Sequence, residues 1–166
     1  MKNIILCGMM GCGKTTCANL LGKKLGRQVV DTDDLVVKKA GMSISELFAT
    51  QGEAAMRDLE TQVARELSEQ QGLIIATGGG LPLREENRSL LRTTGIVVFL
   101  RRDPGEIYDT GDMSGRPLGQ QGREAFLNRF AQREPIYQAF SHIVINDFSS
   151  PEATVAEILT KLEGQL

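Results

Sequence analysis

Ile4-Ile5-Leu6-Cys7-Gly8-Met9-Met10-Gly11-Cys12-Gly13-Lys14-Thr15 is the stretch whose reading decides the fold. Its first four residues form an apolar run that reads as a buried strand. Gly8 to Thr15 then fits glycine, four free positions, glycine, lysine, serine or threonine, a pattern that wraps backbone N–H groups around phosphate oxygens. Thr16 to Leu25 has a helical pattern, and a helix N-terminus adds a dipole favourable to an anion. The alternative is a glycine-rich strand–helix turn that matches by chance. With every fixed position filled and the strand–loop–helix context present, we read a nucleotide site: Gly11, Cys12, Gly13, Lys14, Thr15 and Thr16 around the phosphates, Lys14 reaching the β- and γ-phosphates from a solvent-facing loop, and the Thr15 hydroxyl ligating Mg²⁺.

The rest of the chain alternates strand and helix. Val29 to Asp31, Leu73 to Ala76, Ile96 to Leu100 and Ile143 to Ile145 read as four further strands. This predicts an α/β fold, a five-stranded parallel sheet flanked by helices in three layers. Ser43 with Glu46 makes a capping box for a short helix that Gly52 breaks. Glu53 to Gln70 carries helical apolar spacing, and Ser150-Pro151 opens the last helix. At 166 residues the chain is expected to be one domain, 1–166. Gly111 to Gly122 holds four glycines, Arg116-Pro117 and only two large apolar residues. Such a loop inside a compact domain suits a lid over a reactive phosphoryl group, against the alternative of a hairpin without a role.

Composition excludes several classes. A net charge of −2 with no basic run gives no nucleic-acid footprint. No apolar stretch approaches the roughly 20 residues of a membrane helix, and the N-terminus does not read as a signal peptide. A protein of the cytoplasm, or of a compartment reached by a targeting segment absent here, is therefore expected, and we take it as a monomer. Cys7, Cys12 and Cys17 suit neither a disulfide framework nor a zinc site; Cys7 and Cys17 read as core, Cys12 as an inert loop thiol near phosphate. Of twelve arginines eleven follow residue 50, with one lysine, Lys161. Arginine is the better fork for carboxylate or phosphate.

Two strand ends carry further chemistry. Asp31-Thr32-Asp33-Asp34 could supply one carboxylate for Mg²⁺ through water and one to accept a proton, or Asp33 or, better placed, Asp34 could simply cap the next helix. Because Asp31 and Asp33 alternate along a strand, only some of these carboxylates are expected to face the crevice together. Thr77-Gly78-Gly79-Gly80 follows the third strand without a metal-ordering Asp, and reads as a wall that another molecule approaches closely, or as a tight turn.

Taken together, the phosphate loop, Asp31-Thr32-Asp33, Gly41-Met42-Ser43-Ile44, Gly52 to Arg57 with Glu60, Thr77 to Gly80, Arg116-Pro117-Leu118 and Arg133-Glu134-Pro135-Ile136-Tyr137 resemble the shikimate kinases, in order and over essentially the whole chain. The resemblance implies a P-loop kinase that transfers the ATP γ-phosphoryl group to the 3-hydroxyl of shikimate in aromatic amino acid biosynthesis. By that resemblance Asp33 is the base, Arg57 and Arg133 hold the shikimate carboxylate, Gly79 and Gly80 face its ring, and Arg116 closes from the lid onto the phosphates. Thr15 and Asp31 order Mg²⁺. Without the family, Arg57 reads as an i,i+3 ion pair with Glu60 and Arg133 as an exposed helix-end charge.

This chain departs from the family in three places. Met56 replaces a common Phe at the pocket edge, and Val37 replaces an acid. Tyr108 or Asp109 stands where an arginine often covers adenine, which makes Tyr108 the expected stacking partner of the base, opposite a loop from Phe148 to Pro151. His142 matches no catalytic position. A gluconate- or nucleotide-directed kinase of the same fold, or a nucleotide-binding homologue without catalysis, are the alternatives.

Overall fold

The computed structural model describes residues 1–110 and 122–165. Among them five strands form one sheet in the order β2-β3-β1-β4-β5: β1, Asn3–Cys7; β2, Val29–Asp31; β3, Ile74–Ala76; β4, Gly95–Leu100; β5, Ile143–Ile145. Every pairing is parallel, and Ile5 of the central strand lies between Ile75 and Val97. β1, β3 and β4 are buried along their whole length, as uninterrupted apolar strands must be when helices cover both faces.

Among the described residues seven α-helices make the outer layers: α1 (Lys14–Leu25), α2 (Thr32–Ala40), α3 (Ile44–Leu67), α4 (Glu85–Arg92), α5 (Pro104–Thr110), α6 (Arg123–Phe140) and α7 (Pro151–Leu162). No helix among the described residues is long and apolar enough to cross a membrane. α1 begins at Lys14 because Gly13, at φ 100°, turns the loop directly into the helix. On its inner face a methyl at Gly22 would lie 2.5 Å from Val29 Cγ2, so only glycine lets α1 pack this close to β2.

Ser43 caps α3 as anticipated, its Oγ accepting from the Glu46 N–H at 3.1 Å. Gly52 interrupts the helix with φ 85° and ψ 171°, so two helical segments meet at the break that the sequence suggested. α7 starts at Pro151 with the Ser150 Oγ accepting from Ala153 N–H at 3.0 Å. His142 is structural, its Nδ1 accepting from the Val97 N–H at 2.9 Å where β5 joins β4. Asn3, fully buried, ties the bottom of the sheet together: its Nδ2 donates to the Gln70 carbonyl and its Oδ1 accepts from the Leu73 N–H.

Two local expectations are corrected. Neither Asp33 nor Asp34 caps α2. Asp31 does, with Oδ1 accepting from the Asp33 N–H at 2.9 Å, because its own backbone is still extended (φ −114°, ψ 124°) while Thr32 is already helical. Asp34 is exposed, and slight desolvation of its carboxyl with the Asp31 charge nearby raises its pKa. The second correction concerns Lys14. It is 9% exposed and points away from solvent, Nζ donating to the carbonyls of Gly8 at 2.7 Å and Met9 at 2.9 Å. A loop that closes around phosphate presents its own carbonyls to its lysine when it turns back toward β1.

Candidate active site

Parallel strands put their C-terminal ends on one edge of the sheet, where open α/β folds keep their ligand crevice. A cavity of about 290 Å³ lies at that edge, lined by Gly11, Gly13, Lys14, Thr15, Thr16, Asp31, Asp33, Thr77, Gly78 and Gly79. The phosphate loop, the end of β2 and the glycine segment after β3 are therefore one site. Asp31 and Asp33 both line it. Strand alternation does not separate them, since the chain enters α2 immediately after Asp31 and helical geometry sets their relative placement.

Asp31 serves two partners at once. While Oδ1 caps α2, Oδ2 accepts from the Thr15 hydroxyl at 2.9 Å. This brings together the two oxygen donors expected at Mg²⁺. Of the six residues expected around the phosphates, Gly11 to Thr16, Cys12 is the one that does not line the cavity. Its side chain is 2% exposed and turned inward, 3.9 Å from Lys14 Nζ, and its N–H donates to Met9 O at 3.2 Å. Burial raises the Cys7 thiol pKa and pushes that of Cys17 up to about 11, so both stay protonated core thiols.

The glycine segment is held from two sides. Thr77 bonds the Leu6 carbonyl through its hydroxyl at 2.9 Å, and the Gly78 N–H donates to Thr32 Oγ1 at 2.8 Å. Each of the three glycines then lies beneath one charged side chain. A methyl added to Gly78 would be 2.3 Å from Asp33 Oδ1, to Gly79 3.4 Å from Arg133 Nη1, and to Gly80 2.1 Å from Arg57 Nη1. Asp33, Arg133 and Arg57, from α2, α6 and α3, converge on three consecutive residues of backbone because that backbone carries no side chains.

Both arginines are buried, Arg57 at 7% and Arg133 at 4% exposure. Arg57 donates to Glu60 Oε1 at 2.8 Å and to Glu53 Oε1 at 3.1 Å. The i,i+3 pair is thus present, and it is a buried one. Burial works to lower the Arg57 pKa, but the Glu60 and Glu53 carboxylates outweigh it and the net shift is upward. Burial raises that of Glu60, against the pull of Arg57. Arg133 lies well inside α6, about two turns before its end. Burial lowers its pKa, Arg57 adds to that, the Tyr137 hydroxyl opposes it, and its Nη2 is buried without a hydrogen-bond partner among the described residues. Two buried guanidinium groups beside each other, one with an unused N–H group, define a place for an anion. Met56, next to Arg57, is buried at 7% exposure.

Further along the same sheet edge a cavity of about 460 Å³ is lined by Arg101, Asp103, Glu106, Asn146, Phe148 and Ser149. Phe148 lines it, from the loop expected to face adenine; Pro151 and Tyr108 do not. Tyr108 is half-buried with its ring centroid 5.6 Å from that of Phe126, and Asp109 pairs with Arg123 at 3.0 Å. Tyr108→Ala is therefore expected to act on stability, lowering the melting temperature by roughly 4–8 °C for a loss of about 2 kcal/mol. The ATP KM should stay within about twofold of wild type, an effect under 1 kcal/mol. Differential scanning fluorimetry beside ATP titration reads both. Arg116, and the proposed lid apart from Gly122, lie outside the described residues.

The residues that sequence reasoning left without a role are Thr32, which fixes Gly78, and Tyr137. The only signal for either was membership of a quoted motif.

The comparisons agree with this geometry. A family model described as shikimate kinase matches residues 10–163. A shikimate kinase of Symbiobacterium thermophilum is 40% identical over 97% of this chain and 96% of its own length. The structure of shikimate kinase from Acinetobacter baumannii in complex with shikimate superposes with a TM-score of 0.91 at 34% identity, covering 99% of this chain and 94% of that one. That of the Aquifex aeolicus enzyme gives 0.86 at 35% identity, covering 98% and 97%. By that family match and those identities over nearly its whole length, the chain belongs to the shikimate kinase family.

Proposed function

We propose that this protein transfers the γ-phosphoryl group of ATP to the 3-hydroxyl of shikimate, giving shikimate 3-phosphate. The observation that carries the reading is the coverage of Gly78, Gly79 and Gly80 by one carboxylate and two guanidinium groups beside the phosphate cavity. An acceptor with one carboxylate and a ring of hydroxyls matches that set. Arg133, with its unpartnered Nη2, and Arg57, steadied by Glu60, hold the acceptor carboxylate. Asp33 accepts the proton of the attacking hydroxyl, within the same cavity as the phosphate loop. Lys14 leaves the Gly8 and Met9 carbonyls to meet the phosphates, and Arg116 closes over them from the 111–122 segment. Phosphoryl transfer asks for this positioning and neutralisation more than for covalent help.

The Thr15 hydroxyl and the Asp31 carboxylate are two hard oxygen donors 2.9 Å apart. They suit Mg²⁺, which takes few protein ligands and completes its shell with water and phosphate oxygens. When bound, the ion neutralises charge on the β- and γ-phosphates. On this reading the enzyme is a cytoplasmic monomer that needs ATP as co-substrate and no nucleic-acid or membrane partner.

A coupled assay with ATP, Mg²⁺ and shikimate, beside gluconate and AMP as acceptors, tests the reading. Turnover should appear with shikimate alone; turnover with gluconate or AMP in its place would overturn it. The clamp gives a second test. Arg57→Ala and Arg133→Ala should each weaken shikimate binding by roughly 2–4 kcal/mol, the scale for removing one partner of a desolvated charge pair. ATP affinity should change much less, and an analogue without the carboxylate should not respond. The two variants should differ in stability. Arg57→Ala leaves Glu60 buried without its partner and should lower the melting temperature further than Arg133→Ala does.

A further inference from the structure

Three consecutive glycines have more backbone freedom than any other tripeptide, yet the substrate reading needs this segment held still. Most of it has visible anchors. Gly78 N–H is fixed by Thr32, Gly78 O accepts from Leu81 N–H, and Gly80 O accepts from Leu83 N–H. The Gly79 carbonyl is held by Tyr137 of α6, whose hydroxyl donates to it at 2.5 Å. Tyr137 is fully buried, its ring centroid 5.3 Å from that of Phe99 in β4, and Met9 Sδ of the phosphate loop lies 3.7 Å from the same hydroxyl. Burial keeps the phenol protonated and so a donor. Tyr137 also stands one turn after Arg133 on α6, where i and i+4 side chains meet, and its hydroxyl interacts with that guanidinium. One hydroxyl thus touches the phosphate loop, the glycine wall and the carboxylate clamp.

We propose that Tyr137 is a positioning residue for the acceptor: through the Gly79 carbonyl and the Arg133 guanidinium its hydroxyl fixes the glycine wall and one arm of the clamp in a single relative placement. The inference rests on the reading of the site as an acceptor pocket. All described peptide bonds are trans, so a Gly79 carbonyl turned toward Tyr137 sends the Gly80 N–H to the opposite side. Without the hydroxyl the Gly79–Gly80 peptide has no such constraint and Arg133 loses its neighbour. Phosphate-loop contacts with ATP are made by other atoms and stay as they are.

The test is Tyr137→Phe, which keeps the ring against Phe99 and removes one oxygen. Each variant is assayed well below its melting midpoint, with shikimate and ATP affinities titrated separately. Shikimate binding should weaken by about 5–50-fold, the scale for leaving a buried hydrogen-bonding group unmet. ATP affinity and kcat at saturating shikimate should stay within about threefold. Arg133→Lys and the double variant complete a cycle in which the combined loss in shikimate affinity is smaller than the sum of the single losses. A general loss of packing would instead weaken ATP and shikimate alike, and additive losses would separate Tyr137 from the clamp; either outcome overturns the proposal. So does Tyr137→Phe with wild-type shikimate affinity, provided wild type binds shikimate in the same titration. If wild type does not bind it, the functional reading fails first and the inference goes with it.

Discussion

Asp33→Asn should lower kcat by about 10²–10⁴-fold, the range for losing a general base, while shikimate binding weakens only slightly. The amide has nearly the volume of the carboxylate. It can still lie over Gly78, and it can still accept a hydrogen bond from the acceptor hydroxyl. It cannot take the proton. Single-turnover kinetics with a separate binding titration divides the two contributions. Equal losses in kcat and in affinity would make Asp33 an orienting group. The variant should fold normally, because the α2 cap is made by Asp31 through the Asp33 backbone N–H, which the substitution keeps.

Lys14→Ala should reduce turnover by about 10²–10³-fold, as removal of a single charge-stabilising donor does elsewhere. Its consequences for stability differ from those of a solvent-facing lysine. Nζ is bonded to the Gly8 and Met9 carbonyls, and truncation leaves both without that donor in a buried loop. A loss of about 1–3 kcal/mol follows, visible as a lower melting midpoint in the absence of nucleotide. Lys14→Met, which fills the same volume without the charge, should recover part of the stability and none of the activity. Near wild-type turnover in either variant would remove the phosphate-loop reading altogether.

What could be read from the sequence depended on how local each cause was. The strand, loop and first helix were legible because an apolar run, fixed glycines and a lysine occur in one continuous stretch. The break at Gly52 and the caps at Ser43 and Ser150 were legible for the same reason: each is set within four residues. The clamp was not legible from its own residues. Arg57 read alone gives a helix ion pair, and Arg133 a surface charge, since nothing near either residue reports that α3 and α6 fold against the same three glycines. Only the family resemblance brought them together. The α2 cap was misplaced by the same limitation on a smaller scale, as the dipeptide Asp31-Thr32 does not declare which residue leaves the strand. Tyr108 was assigned to adenine by alignment across a shortened segment, a reading that carries no sign of its packing on Phe126. Tyr137 acts across 58 residues of chain, a separation no periodicity describes.

The coverage of the glycine wall bears on how this enzyme can change over generations. Any side chain at Gly78 or Gly80 must push aside the end of Asp33 or Arg57, and those are the groups proposed for the acceptor. A single substitution there removes the existing activity before it can create another, so drift toward a new acceptor finds no path through the floor of the pocket. The paths that remain begin at its walls. Met56, expected at the pocket edge from the family resemblance, is one of these, an unbranched and adaptable side chain next to Arg57 in sequence. Libraries built to shift acceptor choice should therefore recover active members with changes at Met56 and none with changes at positions 78 and 80.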